Sequence, residues 1–141
     1  MPVAVLNKLL VQARAGSEEL VPNSEHELSI VFTASDDSIG LLDEVTVPPL
    51  NDSFRPFIAS SLEAAAENIG EAEYFAALDH QSTIDDSAIL VHRQNGGSLE
   101  TARVTFDSVQ ILLVSLFIGT LGFQEIKDIA DSEGGIYGRS A

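Results

Sequence analysis

The sequence predicts an α+β domain: an antiparallel sheet of about five strands with three helices, ordered helix, strands, helix, strands, helix. Three observations carry this expectation. Apolar residues recur at helical spacing in three separate stretches, around residues 3–14, 54–69 and 101–121. Short runs in which apolar and polar residues alternate lie between them. Clusters of Asp, Asn, Gly and Pro punctuate the boundaries. At 141 residues the chain is the size of one ordinary domain, and 45% hydrophobic residues are enough to build a core. The domain is placed at residues 1–130, with 131–141 (DSEGGIYGRSA) expected as a flexible tail.

The first helix rests on Val3, Leu6, Leu10 and Ala13, which share one helical face with Leu9 beside them. Gly16 and Pro22 mark the connection that follows. Residues 27–33 (ELSIVFT) set Leu28, Ile30 and Phe32 against Glu27, Ser29, Val31 and Thr33, the pattern of a strand with one apolar face. Asp36 and Asp37 supply turn chemistry, and 39–47 (IGLLDEVTV) read as the return strand, ended by Pro48 and Pro49. Asn51, Asp52 and Ser53 are candidate caps for the middle helix. Phe54, Phe57, Ile58, Leu62, Ala65 and Ile69 form its apolar face, and Gly70 is a natural stop.

Residues 74–79 (YFAALD) and 88–94 (AILVHRQ) read as strands joined by a polar connection, and Asn95 to Ser98 as a loop. The last helix is expected from about Thr101 to Leu121. Phe106, Val109, Leu113, Leu116, Phe117 and Thr120 mark its core face, and Leu112 and Ile118 widen the apolar surface beyond one stripe.

Charge is the most distinctive bulk property. Asp and Glu number 22 against 7 Lys and Arg, giving a formal charge of −15. Such a field repels phosphate backbones and anionic bilayers, so neither a nucleic acid nor a membrane is expected as a partner. Three readings of the acidity fit: solubility, attraction to a basic partner, and adaptation to high salt. With no cysteine the chain has no disulfide framework, thiolate metal site or Cys nucleophile, which fits a reducing compartment. The N-terminus lacks a basic start, a long apolar run and a cleavage site, so a cytoplasmic protein is expected. The uncharged stretch 109–123 is shorter than the roughly 20 residues of a spanning helix and reads as a buried one.

No catalytic motif is found. There is no G-x-G-x-x-G after a strand, no phosphate-binding G-x-x-x-x-G-K-[ST] and no G-x-S-x-G elbow. His80 and His92 could face each other across the second hairpin with Asp79 adjacent. Their spacing matches no specific metal signature, so no metal, other cofactor or catalytic residue is assigned. Asp36-Asp37 and Asp85-Asp86 fall in expected turns, where Asp serves the backbone. What stands out instead is apolar surface beyond what one small sheet covers.

The order of elements resembles the small acidic chaperones of bacterial type III secretion systems. Three stretches carry the likeness. Leu6–Leu10 (LNKLL) resembles their opening helix, and Ala76-Ala77-Leu78-Asp79 resembles a strand end after the middle helix. Ile89 to Gln94, followed by Ser98-Leu99-Glu100 and Phe106, resembles the final strand leading into the last helix. The last helix is less charged than is usual in that family, Gly119 and Gly122 interrupt its end, and the tail has no counterpart there. The resemblance implies a non-enzymatic homodimer that holds the N-terminal segment of a secreted effector. It implies client contacts at Leu6, Leu9, Leu10, Ile30 and Phe32, with a possible added strand at a sheet edge. It places Phe57, Ile58, Leu62 and Ala65 at or near the dimer interface. The alternatives are an acidic inhibitor, immunity or mimic protein that blocks a basic toxin or nuclease, and a virion or other assembly subunit.

Overall fold

The computed structural model describes residues 2–25, 28, 32–33, 39–40, 48–50, 61–68 and 72–138. The elements are α1 (Val3–Leu20), β1 (Phe32–Thr33), β2 (Ile39–Gly40), α2 (Leu62–Asn68), β3 (Tyr74–Ala77), α3 (Ser82–Asp85), β4 (Ser87–Arg93), β5 (Leu99–Thr105), α4 (Phe106–Ile118), α5 (Phe123–Ser132) and β6 (Ile136–Tyr137). The class is α+β, as the sequence predicts. The layout differs: the main sheet is four-stranded and mixed, in the order β3-β4-β5-β6, and the described residues include five helices. β1 and β2 form a separate antiparallel pair, Phe32 opposite Gly40, where the first hairpin was expected.

The β3–β4 pair joins the two short apolar runs that the sequence marks as strands, with Tyr74 opposite His92 and Ala77 opposite Ile89. β4 and β5 then pair along their whole lengths, Ser87 opposite Thr105 and Arg93 opposite Leu99. The turn between them needs two left-handed glycines, Gly96 (φ 93°) and Gly97 (φ 91°), a conformation that costs glycine least. The single helical turn α3 fills the polar connection between β3 and β4. Asp79 and Ser82 brace it reciprocally: the Ser82 N–H donates to the Asp79 carboxylate at 3.1 Å, and the Asp79 N–H donates to the Ser82 hydroxyl at 3.0 Å.

Two sequence expectations are corrected at the C-terminal end. Residues 101–105 do not begin the last helix; they complete β5. Ala102 and Val104 face the core while Thr101, Arg103 and Thr105 alternate away, and the β-branched Thr and Val suit a pleated surface. The residues after 130 are not all tail: α5 runs to Ser132, and Ile136–Tyr137 form β6, which pairs parallel to β5 with Ile136 opposite Arg103. Ile136 is buried, and α5 lays Phe123, Ile126 and Ala130 into the core at helical spacing.

The core sits between the sheet and α4, with Ala88, Leu90, Ala102 and Val104 from the strands meeting Phe106, Val109, Leu112 and Leu116 from the helix. α1 packs on α4 from outside, burying Leu6, Leu9, Leu10, Ala13 and Ser17. Gly16 allows this approach. A Cβ there would stand 2.7 Å from the carbonyl carbon and 2.9 Å from the Cβ of Asp107, and closer still to the carbonyl oxygen. A second tie holds α1 to the β4 entry: Lys8 Nζ lies 3.2 Å from the Asp86 carboxylate and Gln12 donates to it at 3.3 Å. Among the described residues no helix is long and apolar enough to cross a membrane.

Candidate functional site

The residues nominated for client contact do not form one surface. Leu6, Leu9 and Leu10 are buried in the isolated protomer, Leu10 to 1% exposure. The physical reason is α4: the amphipathic stripe of α1 is satisfied within the chain. This corrects their assignment as a client surface. Phe32 has its backbone in β1, and Ile30 lies outside the described residues. Of the four interface nominees, Leu62 and Ala65 are half-buried in α2, while Phe57 and Ile58 lie outside the described residues.

The exposed apolar surface lies elsewhere. Phe117 is 87% exposed and Ile118 is 63% exposed, side by side in the last turn of α4. Phe117 was expected on the core face. Leu116, expected on the same face, is buried there, and Phe117, one residue further on, swings about 100° round the helix and out into solvent. Gly119 ends α4 in the left-handed conformation (φ 83°), its N–H donating to the carbonyls of Ser115 at 3.0 Å and Leu116 at 3.3 Å. Thr120 donates from its N–H to the same Ser115 carbonyl at 3.0 Å. The apolar pair therefore stands on a closed, well-braced helix end. Other exposed apolar side chains are Leu20 and Val21 at the end of α1, Val11 on its outer side, Ile84 in α3 and Ile129 in α5.

A legible signal for this surface was the breadth of apolar residues in 109–118. A helix apolar on nearly every side needs cover on every side. α1 and the sheet cover two, and the end of the helix runs past them.

Two polar networks gather the titratable side chains of the sheet. In the first, the His92 ring stacks on Tyr74 with centroids 4.7 Å apart and meets Phe123 at 5.4 Å. Its Nδ1 lies 3.1 Å from Glu100 and its Nε2 lies 3.2 Å from Glu73, so both ring nitrogens are already engaged by carboxylates from flanking strand positions. Burial, a hydrogen bond to Glu73 and the nearby negative charges raise the Tyr74 phenol above its ordinary range. In the second, Arg103 from β5 grips Asp79 through two nitrogens, at 3.2 and 2.5 Å, and donates to the Ser87 hydroxyl at 2.9 Å. Ser87 in turn donates to Asp85. Partial burial alone would raise the Asp79 pKa. The Arg103 and Ser82 hydrogen bonds outweigh it and hold the carboxyl below its usual range.

Neither network has the form of an active site. Ser82 and Ser87 are fully buried, and their hydroxyls meet carboxylates, a guanidinium and a backbone N–H rather than a histidine. The His80–His92–Asp79 grouping is not assembled. The strand register sets Tyr74 opposite His92, whereas Asp79 and His80 follow the far end of β3, where Asp79 belongs to Arg103. Among the described residues no three His, Asp or Glu side chains converge in a way that could hold a metal ion. Asp85 and Asp86 serve α3 and α1 as structural acceptors.

No known family model matches the chain, and no curated protein or solved structure matches it either.

Proposed function

We propose that this chain is non-catalytic and acts by holding another polypeptide. The observation that carries the reading is the apolar pair Phe117–Ile118, standing 87% and 63% open to solvent at the end of a rigidly capped helix. Large apolar side chains grouped on the surface of a highly charged protein mark contact sites more often than accidents. The internal pairing of the His92 and Asp79 networks supports the same reading, since their polar groups are engaged in bracing strands.

In the specific form that the family resemblance implies, the chain is a cytoplasmic homodimeric chaperone. It keeps the N-terminal segment of a secreted effector extended and competent for export. Ile30 and Phe32 remain proposed client positions in this form, and Phe57, Ile58, Leu62 and Ala65 proposed dimer positions. Strand addition has a place to occur: among the described residues β3 pairs only with β4, which leaves its outer edge as the end of the sheet.

The test is co-expression of the chain with candidate clients, followed by limited proteolysis of the complex. The reading expects a protected, otherwise unfolded client segment that is released by Phe117→Ser with Ile118→Ser. Retention of a client only as a folded basic domain would replace the chaperone with an inhibitor. Light scattering checks the dimer separately.

A further inference from the structure

Resting on that reading, we infer that the end of α4 takes a cationic amphipathic segment of the partner, and not a second copy of this chain. The platform is apolar at its crest. Phe117 and Ile118 are adjacent and open, while Leu116 beneath them is locked in the core. Its surroundings are negative. Residues 106–126 contain no Lys or Arg, Lys127 in α5 being the first cation beyond them, and α4 has no basic residue in its last turn to offset the negative end of the helix dipole. Glu125, in the first turn of α5, stands beside the α4–α5 turn, its Oε1 3.7 Å from where a Cβ on Gly122 would be. The whole chain adds a formal charge of −15.

These features select the occupant. A two-fold copy would bring two such helix ends and two Glu125 carboxylates together, like against like. A short helix with an apolar stripe and flanking Lys or Arg meets both requirements at once. Its stripe covers Phe117 and Ile118, and its cations face Glu125 and the terminal carbonyls of α4.

The experiment uses three labelled synthetic peptides and the full chain, read by fluorescence anisotropy at low and moderate salt. One peptide carries Leu at i, i+3, i+4 and i+7 with flanking Lys. The second has Glu in place of every Lys, and the third has Ser in place of every Leu. The Lys–Leu peptide is expected to bind best, with affinity falling as salt rises. Phe117→Ser with Ile118→Ser should weaken it by about tenfold or more, with the melting temperature unchanged. Glu125→Gln should weaken it by a few fold and flatten the salt dependence. Equal binding of the Glu–Leu peptide would overturn the cationic occupant while leaving protein holding intact. Full-strength binding to the Phe117/Ile118 variant would overturn the location. A dimer that Phe117→Ser dissolves would assign the surface to a second copy and overturn the inference. Failure of every peptide, with a client complex still released by the same variant, would overturn this occupant and spare the broader function.

Discussion

Replacing Gly16 with alanine sets two effects of opposite sign against each other. In an ordinary helix interior the change gains about 1 kcal/mol, because glycine pays more backbone entropy than alanine. Here the new methyl would stand 2.7 Å from the carbonyl carbon and 2.9 Å from the Cβ of Asp107. Both belong to the first turn of α4 or its root, so no flexible side-chain end can swing away. α1 must lift from α4, loosening Leu9, Leu10 and Ala13 together. Overpacking of this kind costs about 1–3 kcal/mol, and a backbone-to-backbone clash belongs at the upper end. The net expectation is a loss of about 2 kcal/mol. For a domain of this size that lowers the melting temperature by about 4–8 °C. The assay is urea and thermal unfolding of Gly16→Ala beside Ala15→Gly, an exposed neighbour that reports helix propensity alone and should cost about 1 kcal/mol. Gly16→Ala equal to or more stable than the parent would refute the close crossing and, with it, the burial of the α1 stripe by α4.

Further outcomes follow from the same packing. Leu10→Asp should abolish cooperative unfolding, because it places a carboxylate at a site 1% exposed; a folded variant by circular dichroism would return Leu10 to the surface. Phe106→Ala should cost about 3–5 kcal/mol in urea titration while Phe117→Ser stays within about 0.5 kcal/mol, although both are Phe in one helix. Arg103 and Ser82 hold the folded Asp79 carboxyl below the ordinary aspartate value of 3.8, so its contribution is present above that value and lost as pH falls through the lower folded one. Asp79→Asn should therefore flatten the acid limb of a stability-versus-pH curve, and an unchanged limb would show that Arg103 does not hold the carboxylate. Ile136→Lys should raise hydrogen exchange in β5 more than in β3, since only β5 pairs with β6.

How much of this was legible in the sequence depends on how local each signal is. The β3–β4 hairpin was legible because YFAALD and AILVHRQ are short apolar runs of strand length with a polar turn between, a short-range pattern. β5 was not, because Thr101 to Thr105 runs directly into Phe106 and the apolar spacing from Val104 onward fits a helix that begins too early. β6 is two residues long, set among glycines, and pairs in parallel with residues more than thirty positions earlier; nothing local announces such a pairing. The stripe Leu6, Leu9, Leu10 was read correctly as an apolar face. A stripe looks the same whether a partner or the chain's own α4 covers it, and only the fold decides. Phe117 errs in the opposite sense: it was placed on the core face beside Leu116, but adjacent residues of a helix point about 100° apart, and only Leu116 is buried.

The crossover from β5 through α4 and α5 back to β6 has a practical corollary. α5 and β6 are held to the rest of the molecule by the Phe123, Ile126 and Ala130 contacts and by main-chain pairing to β5, in addition to the covalent link through the turn at 119–122. A protease that nicks this turn should leave both pieces associated in native electrophoresis and separate them only in denaturant. The same position divides the chain for a split reporter, in which a fragment beginning near Phe123 restores the sheet only when its larger counterpart is already folded.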